Sequence, residues 1–528
     1  MLLRPLIVRS GGLRPPAVAL AGFAVGAAGA FVASTEQAEA VSPVATRTPH
    51  ALYVWGGNDG CTVPQSGVTV QQRPEFGVAE AGGARGVAAS RAHVVGRPRA
   101  VPFFDSRGIS AIAFADTHAA AVDHAGKLYV WGAAYAAKTP CCQLSREQAS
   151  EPQELGGSRD LTQVVCTAKN VFALSMAGEV LTMRAEHAAA TVASALTPVV
   201  GAEGKRLSAK IVKLAAGEGH LCALSEDGAV YTMSETCCGK PNQLIQVTGG
   251  DMEKDSDTGK MVGDKFVPDG RLQTRVADVD CGRAHTVALL LDGRVVGWGE
   301  DNWMQLGQGV PTGSGVAALQ SNGTGTTVRR RKEPTLMRWT RGSRMVGRAV
   351  SVAAGGDSTF VVVSAPNGET QSLYSCGFGS YGTLGAGGRT HAQGHLNRVP
   401  KLSGARYYDE VLGKHGCVTL EQLSVGKAHV VAAQHPTPED PIDFFTWGAN
   451  ALAQQGNGLR ADGTTPKVAS WSPPGRLPLR APVLPTRTWW GGSSSTSAAV
   501  ADDNESCSQV EGVVVCDGEN TAFFAPRR

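Results

Sequence analysis

The sequence repeats itself from about residue 50 onward, and this internal repeat constrains the fold more than any other feature. The recurring unit is a short apolar stretch that ends in a small residue, two variable positions and often histidine. Its copies are Ala115–His118, Gly217–His220, Gly282–His285 and Gly426–His429, with weaker copies at Thr167–Asn170, Gly356–Thr359 and Gly492–Ser495. Seven copies of one unit predict a chain built from seven similar modules.

A second unit follows the first at a fixed distance. It is an apolar run that ends in Trp-Gly around Trp131, Trp298 and Trp447, and one further run reaches Trp55 at the start. The step between the units is thirteen residues in four copies: His118 to Trp131, Asn170 to Met183, His220 to Met233 and His285 to Trp298. Each pair of units is typical of two β-strands joined by a tight turn, such as Asp292-Gly293.

A glycine turn and a proline complete the repeat. The turn is Gln305-Leu306-Gly307, echoed at Thr383–Gly385, Gln454–Gly456 and, weakly, Asn242–Leu244. We interpret the prolines that follow as the approach to the next unit: Pro98, Pro152, Pro198, Pro334, Pro400 and Pro466. A four-stranded sheet of this size cannot bury both faces alone, so the copies must pack around a common axis. The predicted fold is an all-β, seven-bladed β-propeller over residues 51–528.

Composition agrees with short strands joined by turns. Glycine contributes 66 of 528 residues, well above the usual ~7%, and charged residues are only 18% against a usual ~25%. The 49 Lys and Arg against 46 Asp and Glu leave a formal charge of +3. Nucleic acid is therefore not an expected partner, because phosphate binding needs a concentrated positive surface.

Counting strands predicts how the ring closes. The chain has seven first units but eight second-unit strands, and the extra strand is Leu52–Trp55. We predict that it completes the blade begun by the C-terminal residues, because pairing the two chain ends removes an open sheet edge. The run Val513–Cys516 would compete for that position or add beside it.

The repeat resembles the regulator-of-chromosome-condensation repeat, a seven-bladed propeller family. The copy at Cys281–Gly309 resembles it best, while Met183, Met233 and Cys376 replace the tryptophan in three copies. The motifs Pro102–Val122 and Val164–Val180 are similar to the first two blades of the mitochondrial, membrane-anchored branch. That resemblance implies a factor for assembly of the respiratory cytochrome bc1 complex (complex III), with mitochondrial ribosome work in a sister branch.

The first fifty residues differ from the rest. Arg4, Arg9 and Arg14 are the only charges before Glu36, which is typical of a mitochondrial targeting segment, here residues 1–16. Ala17–Ser34 is uncharged and, as a helix, matches a thin bilayer core, so we predict a transmembrane anchor followed by a linker at 35–50. A presequence that is removed entirely and a secretory signal cleaved after Ala38-Glu39-Ala40 remain alternatives. With the arginines on the matrix side, the propeller would face the intermembrane space.

The candidate sites are few. His118, His220, His285 and His429 occupy equivalent repeat positions, as do Trp55, Trp131, Trp298 and Trp447. A shared axial metal is one interpretation of the histidines; we expect instead that each bonds backbone groups of its own blade. Neither zinc-ligand spacing nor a nucleotide-binding motif is present, so no metal or cofactor is expected, and Cys166, Cys222 and Cys281 are predicted to be core thiols.

Loops and partners complete the predictions. We interpret Arg329–Lys332 as part of a solvated loop, with a nuclear signal or a phosphate contact as alternatives. The inserts Cys61–Arg97, Gln246–Gln273 and Val310–Lys332 are either partner-binding loops or tolerated expansions. The expected function is non-enzymatic: an assembly or scaffolding factor, single-pass in the mitochondrial inner membrane, that binds respiratory-complex subunits or other assembly factors and no small-molecule substrate. A nucleotide exchange factor for a small GTPase and a secreted binding propeller are the alternatives.

Overall fold

The computed structural model describes residues 51–64, 94–135, 150–247, 275–308, 319–469, 479–480 and 510–524. Short gaps within these ranges fall at 157, 159, 186–195, 202–203, 236–242, 322–326, 342–343, 346, 411, 436, 438–441 and 512. The described residues form seven antiparallel blades of four main strands each, which confirms the seven-bladed propeller. Among them no helix is long and apolar enough to cross a membrane, and Ala17–Ser34 lies outside them.

The chain enters through β1 (Leu52–Gly57) and β2 (Val94–Ala100) and then builds three blades in order. The first blade contains β3 (Ala111–Phe114), β4 (Ala119–Val122), β5 (Leu128–Trp131) and β6 (Gln153–Glu154). The second contains β7 (Leu161–Cys166), β8 (Asn170–Ser175), β9 (Val180–Arg184) and β10 (Thr197–Pro198). The third contains β11 (Val200–Gly201), β12 (Ile211–Ala216), β13 (His220–Ser225), β14 (Val230–Ser234) and β15 (Gln243–Gln246), where β11 runs parallel to β15 on the outer edge. Short 3-10 turns occupy Pro102–Phe104 and Ala133–Tyr135.

The next three blades carry additional short strands. The fourth contains β16 (Val276–Cys281), β17 (His285–Leu290), β18 (Val295–Glu300), β19 (Leu319–Ser321) and β20 (Thr327–Leu336). A ribbon of β21 (Thr340–Arg341) and β22 (Arg344–Met345) precedes the fifth blade of β23 (Arg348–Gly355), β24 (Ser358–Ser364), β25 (Gln371–Gly379) and β26 (Thr390–Ser403). The hairpin of β27 (Arg406–Asp409) and β28 (Lys414–Cys417) precedes the sixth blade of β29 (Leu420–Val425), β30 (His429–Gln434), β31 (Asp443–Gly448) and β32 (Gly463–Val468).

The seventh blade joins the two ends of the chain. After β33 (Leu479–Arg480) and β34 (Val510–Glu511) come β35 (Val513–Asp517) and β36 (Asn520–Phe524), and the strand order is β2-β1-β36-β35. Leu52 pairs with Phe524 and Trp55 with Thr521, so the predicted closure is confirmed. The prediction for Val513–Cys516 was wrong: this run is the innermost strand and is separated from β1 by β36. Its apolar residues pack on both sides, Val514 and Cys516 against the sixth blade and Val513 and Val515 against the first.

The hydrophobic core lies between neighbouring blades. One cluster joins Val122 of the first blade to Val171 and Met183 of the second, and equivalent clusters follow around the ring. Met183, Met233 and Cys376, which replace the tryptophan, are at most 3% exposed. Cys166, Cys222 and Cys281 are buried and free, as predicted. A residue that packs on the next blade must recur in each blade, which explains the repeat.

Two features that were predicted to be connections are parts of strands: the repeated prolines and the weak glycine turn at Asn242–Leu244. Five of the six prolines lie within the fourth strands of their own blades, and Pro152 directly precedes β6. Proline suits such edge positions because it donates no ladder hydrogen bond. Asn242 lies outside the described residues, and Gln243-Leu244 begins β15 instead of forming a glycine turn. The three predicted inserts fall largely outside the described residues.

Candidate functional site

The turns that link the first two strands of every blade converge at one end of the propeller axis. These axial turns are Ala115–His118, Thr167–Asn170, Gly217–His220, Gly282–His285, Gly355–Ser358, Gly426–His429 and Asp517–Asn520. Two sequence assignments therefore needed correction. The fifth copy begins one residue earlier than predicted, since Ser358 pairs with Gly377 as His285 pairs with Gly299. Gly492–Ser495 lies outside the described residues, and Asp517–Asn520 forms the seventh turn.

Backbone hydrogen bonds join the axial turns from blade to blade. Ala168 N donates to Glu218 O at 2.8 Å, Glu218 N to Arg283 O at 2.9 Å, and Arg283 N to Gly356 O at 2.6 Å. Lys427 N donates to Gly518 O at 2.8 Å in the same way. At four of the seven blade junctions, an amide of one axial turn is thus satisfied by a carbonyl of the next blade.

The histidines fasten each blade to its successor rather than meeting at the axis. Nε2 of His220, His285 and His429 lies 3.1, 2.9 and 2.9 Å from Oγ1 of Thr286, Thr359 and Thr521 in the next blade. The prediction of own-blade backbone partners was therefore wrong. Burial lowers the pKa of His285 to about 3 and that of His429 to about 4, so both rings are neutral at pH 7.

Two of the three threonines also donate to a carbonyl of the preceding blade, and this histidine–threonine–carbonyl contact is called the clasp. Thr359 Oγ1 donates to Gln305 O at 2.7 Å, and Thr521 Oγ1 donates to Gln454 O at 3.1 Å. Because the hydroxyl hydrogen is used there, the Nε2–H of the histidine must be the donor to the hydroxyl oxygen. The receiving carbonyls belong to the glycine turns that the sequence identified.

Three of the four repeat tryptophans donate a hydrogen bond to a turn of the same kind in the preceding blade. Trp55 Nε1 donates to Gln454 O at 2.9 Å, Trp447 Nε1 to Thr383 O at 2.7 Å, and Trp131 Nε1 to Thr62 O at 2.7 Å. All four repeat tryptophans are at most 8% exposed. Thr62 reveals a glycine-turn equivalent in the seventh blade that the sequence did not show. It follows the positive-φ residue Cys61, as Gln305 follows Met304 and Gln454 follows Ala453.

His118 is the exception among the four histidines. In the other three blades the unit begins with glycine, and a Cβ there would lie 2.1 to 2.4 Å from the histidine ring. The first blade has Ala115 instead, and the next blade has Val171 where the others have threonine. The His118 ring accordingly lies against Tyr135, at 6.1 Å between centroids, and burial lowers its pKa to about 4.

Gly282 provides a test of this packing. We expect Gly282→Ala to lower the free energy of unfolding by about 1–3 kcal/mol, because the new Cβ would meet the His285 ring at 2.1 Å and Gly356 O at 2.7 Å. Urea denaturation measures the loss. Gly388→Ala is the matched control, since its Cβ would meet nothing within 4 Å. Equal stability of the two variants would contradict the packing argument.

The axial turns carry mixed charge. Their carboxylates are Asp116, Glu218, Asp357, Asp517 and Glu519, and their cations are Lys169, Arg283 and Lys427, which leaves two more negative than positive groups. Arg283 Nε lies 3.0 Å from Asp357 Oδ1 and its Nη2 lies 3.2 Å from Glu300 Oε2. Lys427 Nζ lies 3.3 Å from Asp116 Oδ2. Arg283 and Lys427 are therefore paired with carboxylates, and acidic residues outnumber basic ones in the axial turns.

A cavity of about 250 Å³ opens at the centre of this ring. Its apolar lining includes Phe114, Cys166, Cys281 and Val425. Its charged lining residues are Asp116, Glu218, Arg283, Lys427 and Asp517. Phe114 N donates to Asp517 Oδ2 at 3.0 Å. Burial raises the pKa of the Asp517 carboxyl to about 7.

An aromatic cluster lies beside the axial turns on the fourth and fifth blades. It consists of Trp303, Phe378, Tyr381 and His391. The ring centroids of Trp303 lie 4.9 Å from Phe378 and 4.8 Å from His391, and Tyr381 is 46% exposed. Phe378 N donates to Asp357 O at 2.9 Å, which places the cluster next to the acidic turn of the fifth blade. The repeat pattern did not reveal it because these residues lie outside the repeated positions.

The basic run Arg329–Lys332 was predicted to be a loop but forms part of strand β20. Arg330 Nη2 lies 3.6 Å from Glu300 Oε1, and Arg331 Nε lies 3.6 Å from the buried Asp301 Oδ2. These two cations thus neutralise carboxylates of the neighbouring strand end. Across the part of the chain that the structure describes, no group of three or more His, Cys, Asp or Glu side chains could hold a metal ion.

Comparisons with known proteins agree with this architecture. The profile of the Regulator of chromosome condensation (RCC1) repeat matches residues 276–308. The mouse protein "Regulator of chromosome condensation" is 34% identical over 110 residues, which is 19% of this chain and 25% of that protein. The chain thus matches about a quarter of the length of that relative.

Two solved structures share the fold. The crystal structure of human WBSCR16 has a TM-score of 0.53 at 16% identity and covers 91% of this chain and 99% of that one. Prp20p from Saccharomyces cerevisiae, described with its binding properties to Gsp1p and histones, has a TM-score of 0.50 at 16% identity and covers 92% and 93%. At this identity the likeness shows the fold alone.

Proposed function

We propose that this seven-bladed β-propeller, whose repeat resembles the RCC1 repeat, has a protein-binding role as a non-enzymatic assembly or scaffolding factor at the mitochondrial inner membrane. Its proposed task is assembly of the cytochrome bc1 complex. The observation that carries the binding role is the aromatic cluster beside the net acidic axial turns, on one face of a rigid ring. Tyr381 is exposed and Trp303 is half-buried, and both residue types are enriched at protein interfaces.

Support for the mitochondrial location comes from the N-terminal residues. Arg4, Arg9 and Arg14 without an acid before Glu36 favour import, and the uncharged Ala17–Ser34 favours an anchor. We propose that the propeller then faces the intermembrane space. The similarity of Pro102–Val122 and Val164–Val180 to the membrane-anchored branch supports assembly of the bc1 complex as the function.

Two alternative functions remain in view. Mitochondrial ribosome assembly would follow if the chain belongs with the sister branch. A nucleotide exchange factor for a small GTPase is favoured by the partial match to the Regulator of chromosome condensation. Prp20p, of the same fold, is described as binding Gsp1p and histones, which supports protein partners as a class.

The test uses cells that lack the protein, complemented with the full chain or with a variant. We expect loss of the mature bc1 complex on blue-native electrophoresis without the protein and recovery with the wild type. Tyr381→Ala should restore it poorly, since losing one interface aromatic costs ~2 kcal/mol, or roughly 30-fold in affinity. Tyr408→Ala, which changes a somewhat more exposed tyrosine (57%) on β27, is the matched control.

Normal bc1 complex levels in cells without the protein would overturn the proposed role in assembly of that complex. Failed mitochondrial translation with normal complexes would transfer the function to ribosome assembly. The protein could instead accelerate nucleotide release from a small GTPase. If Tyr381→Ala and Tyr408→Ala then affect that activity equally, the aromatic cluster is not the binding surface.

A further inference from the structure

The axial cavity has a size that suits one side chain. Its volume of about 250 Å³ lies below the ~300–1,000 Å³ typical of pockets for drug-sized ligands and cofactors. It opens at the convergence of the axial turns, so a ligand reaches it from the same face that carries the aromatic cluster. The proposed bc1 assembly role makes no use of this cavity.

The backbone around the cavity is not equipped for an anion. Amide hydrogens at the mouth would be the natural anion ligands, but those of Ala168, Glu218, Arg283 and Lys427 already donate to the next blade. Arg283 and Lys427 are also engaged, by Asp357 and Asp116. The mouth of the cavity is therefore better suited to binding a cation than to binding an anion.

Asp517 supplies the counter-charge inside the cavity. Its Oδ2 accepts a hydrogen bond from Phe114 N at 3.0 Å, which holds the carboxyl in place on the cavity wall. The apolar side chains of Phe114, Cys166 and Val425 share that wall. Such a lining suits an alkyl stem that ends in a charged group, as in lysine and arginine.

We propose that the axial cavity binds the cationic end of an arginine or lysine side chain of a partner protein, with the Asp517 carboxylate as its counter-ion and Asp116 and Glu218 at the mouth. This deepens the protein-binding role proposed above but does not depend on the mitochondrial destination. Binding takes place by ion pairing and desolvation of the alkyl stem, and no covalent step is involved.

The test is isothermal titration calorimetry of the purified full chain with two arginine probes. The first is the peptide acetyl-Gly-Gly-Arg-Gly-Gly-amide, and the second is acetyl-arginine-amide, a free small guanidine. The same peptide with citrulline, which is neutral and nearly isosteric, is the ligand control. We expect the arginine peptide to bind and the citrulline peptide to bind at least tenfold more weakly, on the order of a lost charge-assisted hydrogen bond.

Asp517→Asn removes the charge and keeps an oxygen for Phe114 N. We expect this variant to lose arginine binding while staying folded, because burial disfavours the ionised carboxyl that it removes. Asp443→Asn, at the start of the third strand of the sixth blade, is the matched control and should bind as the wild type does. A thermal melt of each variant checks the fold independently.

The pH dependence gives a second readout. The groups that face Asp517 are Asp280, Asp116, Cys166, Cys516, Glu218, Arg283 and Lys427. Burial raises the pKa of Asp517 to about 7, so a cation must displace a proton below that pH. Arginine affinity should rise about tenfold from pH 6 to pH 8 in the wild type, whereas Asp517→Asn should bind arginine at neither pH.

The outcomes separate the sources of the cation. Binding of the peptide at least as tight as that of acetyl-arginine-amide supports a partner's side chain. Binding of acetyl-arginine-amide at least tenfold tighter than that of the peptide assigns the cavity to a free small guanidine and overturns the partner-protein source. Equal binding of the citrulline peptide, or unchanged arginine binding by Asp517→Asn, overturns the cation site itself. None of these results depends on whether bc1 assembly fails in cells, so the two proposals fail separately.

Discussion

Deletion of residues 51–57 should leave the propeller unable to hold its native fold at 25 °C. The deletion removes β1, which pairs on one side with β36 and on the other with β2. Leu52, Val54 and Trp55 are 0% exposed, and burial of each large apolar side chain contributes ~1.5–3 kcal/mol. The sum is comparable with the ~5–15 kcal/mol that stabilises a typical domain. The opened ring would also expose the edge of β36.

Near-ultraviolet circular dichroism and a thermal melt of the purified chain measure this effect. The matched control removes seven residues, 81–87, from the segment that connects β1 to β2. We expect the control to melt as the wild type does. A transition of the 51–57 deletion within about 2 °C of the wild type would mean that the C-terminal strands close the ring without β1.

Thr359→Val should lower the free energy of unfolding by about 2–4 kcal/mol although the two side chains have nearly the same shape. The fully buried hydroxyl accepts a hydrogen bond from His285 Nε2 at 2.9 Å and donates one to Gln305 O at 2.7 Å. Without the hydroxyl, the buried Nε2–H of His285 has no acceptor and the carbonyl of Gln305 loses a donor. Each such buried group costs ~1–3 kcal/mol. The change in urea midpoint measures the loss.

Thr390→Val is the matched control, because the same change is made on an exposed strand position and should stay within ~0.5 kcal/mol of the wild type. A double-mutant cycle with His285→Leu isolates the clasp. The double variant should lose less than the sum of the two single variants, by ~1 kcal/mol or more. Strict additivity would mean that the two side chains do not stabilise the blade junction together.

The origin of the repeat shows which contacts a sequence can reveal. Strands within a blade are hairpin neighbours, so their partners lie close along the chain and the alternation of apolar residues sets their register. For that reason the spacing from His285 to Trp298, the Asp292-Gly293 turn and the seven-fold count could be predicted. Ring closure by Leu52–Trp55 could also be predicted, since one strand in excess requires a partner.

Contacts between blades depended on the tertiary structure. The partners His220–Thr286, His285–Thr359 and His429–Thr521 are 66, 74 and 92 residues apart, and loop lengths vary too much to fix which side chains meet. The repeat therefore showed that histidine recurs but not that threonine of the next blade is its partner. For His118 the repeat did not indicate that the clasp is missing. Ala115 replaces the glycine that the ring needs, and Val171 replaces the threonine that would be its partner.

The axial cavity shows most clearly which features the sequence could predict and which depended on contacts between blades. Sequence alone determined that seven units share one axis, because no single blade could bury its own faces. Only the tertiary structure decided what meets at that axis: Asp517 of the last inner strand beside Phe114 of the first, 403 residues away. The physical reason is that the seven turns approach one another only when the ring is closed. The chemistry of their meeting point is therefore a property of the whole ring and of no segment of the chain.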